Sequence, residues 1–187
     1  MNGTESARPR GIDALPGELM MWVLIVSELL VFGAGLLAFL SVRLTDPQGF
    51  AEAQSHLHRT GAGINTVVLV TSGWFAALAV RAAAARRVAR SRMLLAGAAA
   101  LGFAFLWIKG LEFAEKAAAG ISTETHPFWT FYYLLTGFHA LHVVAGIVIL
   151  ALVGWRCTAH NVEVGTSFWH MVDLVWVLLF PIIYLLG

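Results

Sequence analysis

Tyr132-Tyr133-Leu134-Leu135-Thr136-Gly137-Phe138-His139-Ala140-Leu141-His142-Val143 decides how this chain reads. The stretch lies inside an apolar run from Phe128 to Trp155, which as a helix is long enough to cross a hydrocarbon core of ~30 Å. Two histidines three residues apart stand on one face of that helix, deep in the run. Ionisable groups at such a depth are costly unless partnered, so they face a bundle interior. Other apolar runs carry similar intrusions: Glu28, Lys109 with Glu112, and His170 with Asp173. The reading is an all-α polytopic membrane bundle of five helices, organised around these polar groups.

Composition supports it. Of 187 residues, 59% are hydrophobic and 12% charged, and the mean hydropathy is +0.77. A soluble domain of this length cannot hide that much apolar surface. The net charge of +1 identifies no partner. The single Cys157 excludes an internal disulfide and any multi-cysteine metal site, and reads as a packing residue near a helix end. There is no phosphate-binding loop, no hydrolase triad and no nucleic-acid signal.

Working outward, residues 1–17 form a polar tail and 18–187 a single transmembrane domain, with spans at about 18–43, 62–85, 93–117, 128–156 and 165–186. The first run is too long for a signal h-region of about 7–15 residues and is read as a retained span. Residues 51–59 read as a short surface helix, and Pro181 as a kink in the last span. Arginine placement sets the orientation. The connection between the second and third spans carries Arg81, Arg86, Arg87, Arg90 and Arg92. With Arg8, Arg10 and Arg156, eight basic residues fall on its side, against three (Arg43, Arg59 and Lys116) on the other. The positive-inside rule then puts the N-terminus in the cytoplasm and the C-terminus outside. The five arginines also suit anionic lipid headgroups. Trp22, Trp129 and Trp155 fall where interfacial anchors are expected.

The polar intrusions allow two readings each. Glu28 is either a proton-handling residue or a neutral acid that bonds neighbouring helices. His139, His142 and His170 could ligate a haem or metal, but no carboxylate-rich shell surrounds them, so bonding between helices is favoured. Asp173 shares a face with His170 and partners it in a polar network, while Lys109 and Glu112 form an ion pair towards the outer surface. Glycines 33, 35, 73 and 102 mark faces for close helix approach.

Together these motifs resemble subunit III of the haem-copper oxidases. The matching segments are Trp22-Val23-Leu24-Ile25-Val26-Ser27-Glu28, Asn65-Thr66 with Thr71-Ser72, Glu112, Thr136-Gly137-Phe138-His139-Ala140-Leu141-His142-Val143 with Gly146, and Phe168-Trp169-His170-Met171-Val172-Asp173-Leu174-Val175-Trp176 with Tyr184. Long members have two further N-terminal helices. The five-span form is similar to quinol oxidase subunits and to nitric oxide reductase accessory proteins, the latter through Lys109-x-x-Glu112 and Asn161-Val162-Glu163. The resemblance implies a non-catalytic subunit with no haem, copper or other metal of its own. It also implies a large catalytic haem-copper partner, bound phospholipid, and a place in the bacterial cytoplasmic membrane. Glu28 matches the buried acid that family members expose to hydrophobic carbodiimides. A haem-bearing electron-transfer subunit using the three histidines, or a proton-coupled transporter using Glu28, Lys109 and Asp173, are the competing readings.

Overall fold

Asp46-Pro47 and the stretch from Gly120 to Pro127 interrupt the apolar runs at two helix ends, and Ala85-Arg86-Arg87 and Cys157-Thr158 at two others. The computed structural model describes residues 19–186, and all regular structure among them is helical. The elements are α1 (Leu19–Arg43), α2 (Pro47–Ser55), α3 (Arg59–Ala84), α4 (Val88–Ala118), α5 (Pro127–Arg156) and α6 (Ala159–Phe180), which runs on into a π-helical turn, Pro181–Leu185. Five helices, of 25, 26, 31, 30 and 27 residues with that turn included, are long and apolar enough to cross a membrane. The tail at 1–17, with Arg8 and Arg10, lies outside the described residues.

The boundaries differ from the sequence reading in one direction. α3, α4 and α6 begin at Arg59, Val88 and Ala159, several residues before the expected starts. Hydropathy finds the part of a helix that sits in hydrocarbon, whereas the polar first turns belong to the interface. The surface helix also begins earlier, at Pro47, because Asp46 caps it: its Oδ1 accepts from the Gly49 N–H at 3.0 Å, and Pro47 takes the first turn.

Side-chain ties show which helix ends share a side. His58 at the start of α3 meets Glu115 near the end of α4, His126 before α5 meets Asp46, and Arg43 at the end of α1 bonds the Leu186 carbonyl. At the opposite end, Arg92 of α4 reaches the end of α5 and carries the arginine turn with it. The two are called here the α2 end and the arginine end. The turn between α3 and α4 is closed by Arg86 N–H to Ala83 O and Arg87 N–H to Ala82 O, both 2.9 Å, with Arg86 at φ 57°. Glycine usually holds that left-handed position.

α6 is the central helix and α1 the peripheral one, which buries only Phe32, Leu36 and Phe39. The core turns on Trp169, fully buried where α3, α4, α5 and α6 meet. Its Nε1–H donates to Ser72 Oγ (3.1 Å), and the Ser72 hydroxyl donates to the Ala98 carbonyl (2.7 Å). The indole fits because Gly102 and Gly146 flank it: a Cβ on either would lie 2.6 Å or 2.5 Å from the ring. Of the four glycines expected at close approaches, Gly35, Gly73 and Gly102 are crowded by neighbouring side chains, but Gly33 faces open space. Trp129 is likewise no interfacial anchor. It is 3% exposed and packs on Phe128, Tyr132 and Tyr133, since its helix turns that face inward, whereas Trp155 is 83% exposed.

Pro181 does more than kink α6. With no N–H to donate, it accompanies a shift into the π-helical turn, which carries Ile183 O to the Gln54 amide (2.6 Å) and buries Tyr184.

Candidate functional site

The ionisable residues of the spans fall into three clusters. The first joins α1 to α5. His142 Nε2 lies 3.1 Å from Glu28 Oε2, and His142 Nδ1 lies 2.9 Å from the carbonyl of Phe138, one turn back. Phe32, Phe138 and Phe168 surround the imidazole at 5.4, 4.6 and 6.5 Å between ring centres. The side chains retain 14% (His142) and 24% (Glu28) exposure, so Glu28 is half-buried rather than sealed in. His139 stands three residues earlier but points into the core. It is fully buried, stacked on Trp176 at 5.2 Å and met edge-on by Phe105 at 5.5 Å. Neither of its ring nitrogens has a hydrogen-bond partner among the described residues. The two histidines share a helix face only loosely and do different things.

The second cluster is built around Lys109, which is 2% exposed. Its ammonium donates to Glu112 Oε2 (3.0 Å), to the Tyr132 hydroxyl (3.0 Å) and to the Tyr184 hydroxyl, and Tyr184 O–H donates in turn to Glu112 Oε1 (3.0 Å). Three N–H donors thus meet three acceptors. The rings of Tyr132, Phe113, Tyr184 and Trp176 surround the charge at 4.6–5.6 Å from their centres, within cation–π range. The ion pair expected of Lys109 and Glu112 forms, on the half towards the α2 end, and two tyrosines from α5 and the π-helical turn close over it inside the bundle. Sequence reading missed Tyr132 and Tyr184 as partners. A tyrosine on an apolar helix gives no signal of where its hydroxyl ends up.

In the third cluster, His170 Nδ1 lies 3.8 Å from Asp173 Oδ2, within ion-pair range but longer than a hydrogen bond. His170 is about half exposed, and the Asp173 carboxylate is pressed against Gly73 of α3. His142, and not His170, is the imidazole that reaches Glu28.

The arginines divide. Arg92 donates from Nε to Gly154 O (2.9 Å) and from Nη2 to Trp155 O (2.8 Å), so it caps α5. Arg81, Arg87 and Arg90 line a small cavity at the α3–α4 turn. Cys157 is buried at the turn between α5 and α6.

A haem does not fit the three histidines. Both nitrogens of His142 are engaged, His139 is packed between Trp176 and Phe105, and His170 lies beside Asp173 in a different cluster. No group of three or more histidine, cysteine or carboxylate side chains among the described residues is placed to hold a metal.

The chain is matched over residues 15–187 by the family model for cytochrome c oxidase subunit III. It is 30% identical to cytochrome c oxidase subunit 3 of Thermostichus vulcanus, covering 90% of this chain and 86% of that one. It is equally 30% identical to the Corynebacterium diphtheriae subunit 3, over 96% of this chain and 95% of that one. A third relative, heme-copper oxidase subunit I+III of Aeropyrum pernix, is 30% identical over 88% of this chain but only 22% of its own length. With five apolar helices and near-complete coverage, the chain belongs to the cytochrome c oxidase subunit III family.

Proposed function

We propose that this chain is a non-catalytic integral membrane subunit of a haem-copper oxidoreductase, seated on the large catalytic subunit and supporting its assembly, stability and sustained turnover. The observation that carries the reading is the family match, which takes in all five spans. Support for the partner comes from the Aeropyrum pernix relative, whose name places subunits I and III in one chain. The geometry supports a structural role, since the Glu28–His142 and Lys109 clusters each tie one helix to another. Glu28, Lys109 and Asp173 lie in three separate clusters, which counts against a transport path through them.

Residues 18–187 act as one transmembrane domain in the bacterial cytoplasmic membrane, with the arginine end cytoplasmic and bound phospholipid around it. Haem and copper belong to the partner. The complex reduces oxygen, in keeping with the names of the relatives, and nitric oxide is the second substrate to assay because of the Lys109-x-x-Glu112 likeness. The test is affinity purification of the tagged chain from native membranes. A large haem- and copper-bearing subunit should co-purify and turn over oxygen. Recovery of the chain without any haem protein, under conditions that keep other membrane complexes intact, would refute the reading.

A further inference from the structure

Three buried polar atoms in one layer of the bundle have no hydrogen-bond partner among the described residues: Asn65 Oδ1 and both ring nitrogens of His139. Four helices build that layer. The Asn65 amide of α3 donates to the Phe105 carbonyl of α4 at 3.3 Å, and the Phe105 ring meets His139 of α5. Trp176 of α6 stacks on His139 and donates to Thr66, the residue after Asn65, at 2.9 Å. A neutral imidazole always carries one N–H donor and one acceptor nitrogen, and an amide oxygen accepts. Buried groups of this kind are rarely left unpaired, and where protein supplies no partner an ordered water does.

The α2 end offers water a way in. A cavity of about 180 Å³ between α3 and α4 is lined by His58 and Glu115, whose side chains are 62% and 57% exposed, and by Ala62, Ile108 and Glu112. Ala62 precedes Asn65 by one turn of α3, and Ile108 follows Phe105 by one turn of α4. On both helices the cavity therefore stands a turn short of the unpartnered layer. A water molecule takes about 30 Å³ of the liquid, so the cavity has room for several. The Glu112 carboxylate, bonded to Lys109 and Tyr184, keeps 11% exposure and gives that wall a polar group.

We propose a one-sided water inlet between α3 and α4. Water fills the cavity from the α2 end, reaches Glu112, and ends as buried water on Asn65 Oδ1 and the His139 ring. The path stops at His139, which is walled by Trp176, Phe105 and Phe32, the last of them also packed on His142. The inlet gives the Lys109–Glu112 pair, otherwise closed over by tyrosines, contact with bulk water from one side and no route to Glu28. The proposal needs the five helices to stand in a membrane but no particular partner subunit, so the two readings fail separately.

Two neighbouring residues of α4 test the inlet. Ile108 lines the cavity, whereas Trp107, at the same depth, is 71% exposed on the outer face. Ile108→Cys and Trp107→Cys are made in the full chain and kept in open membrane fragments with any subunits that accompany it. Each is treated with a charged methanethiosulfonate, and the parent chain, whose one thiol is the buried Cys157, sets the background. Ile108→Cys should react at least tenfold faster than Trp107→Cys, because a thiol must ionise to react and hydrocarbon suppresses that. Any smaller ratio, or a rate at Ile108→Cys no higher than background, overturns the inlet. The buried end is read in a map of the purified complex fine enough to show ordered water. Water within hydrogen-bond distance of Asn65 Oδ1 and of one His139 nitrogen is expected. Dry density at His139 overturns that end and leaves the ring to its aromatic contacts.

Discussion

His142 of α5 meets Glu28 of α1 at 3.1 Å and so ties the peripheral helix to the bundle. The Phe138 carbonyl at 2.9 Å from His142 Nδ1 can only accept, so Nδ1 carries a hydrogen. Nε2, 3.1 Å from Glu28 Oε2, then either accepts from a neutral carboxylic acid or donates to a carboxylate. Both forms contain the same atoms and the same net charge.

Glu28→Gln should preserve this contact, because an amide N–H can donate to Nε2, whereas Glu28→Ala leaves the imidazole unpartnered. The cost of an unsatisfied buried polar group is about 1–3 kcal/mol. The Ala variant should melt at a lower temperature and lose part of its association with the catalytic subunit, and the Gln variant should match the parent. An assembled Gln variant with impaired turnover would make Glu28 a proton carrier instead.

At Lys109, Lys109→Met strands Glu112 beside Tyr184 in the bundle interior. Breaking a buried pair by removing one partner costs on the order of 3–5 kcal/mol. The combination of Lys109→Met with Glu112→Leu should recover most of that loss, since no uncompensated charge remains. A double-mutant cycle in thermal melts reads the difference directly, and additive single and double losses would show that the two residues act independently.

A methyl group at Gly146 would stand 2.5 Å from the Trp169 ring, which its bond to Ser72 holds in place. Gly146→Ala should destabilise by about 1–3 kcal/mol through overpacking. Gly33→Ala, with nothing within 4 Å of the new Cβ, should be neutral or slightly stabilising. Similar melting temperatures for the two variants would contradict this.

The α2 end should respond to acid. Asp46 Oδ1 accepts the Gly49 N–H, and its Oδ2 meets His126, whose Nδ1 accepts from the Phe128 N–H. These two bonds, the backbone one first, hold the Asp46 carboxyl below its ordinary value of 3.8. A carboxyl depressed by folding contributes stability above its unfolded value and loses it as pH falls through the folded one. Melting temperature should therefore drop below about pH 4, and Asp46→Asn should flatten part of that slope. An identical slope in the variant would place the acid sensitivity elsewhere.

A reporter fused after Gly187 should be active only on the outer side of the membrane, in line with the basic bias towards the arginine end. Activity confined to the cytoplasm would reverse the proposed orientation.

The sequence by itself determined the number and nature of the spans. An apolar run of ~20 residues has few options in lipid other than a helix, whose backbone bonds are all satisfied internally. The same logic flagged Glu28, Lys109, His139, His142 and Asp173, because a polar group in such a run is conspicuous in one dimension. What those groups touch is a three-dimensional matter. Only the tertiary structure set Glu28 against His142 and left His139 among aromatic rings, although the two histidines are three residues apart. A rotation along one helix sends neighbouring side chains to different neighbours. It also brought Tyr132 and Tyr184 from separate elements onto Lys109, and turned Trp129 inward while Trp155 stayed out. Aromatic residues are as common in a bundle core as at its rim, so their composition carries no address, and packing alone assigns one.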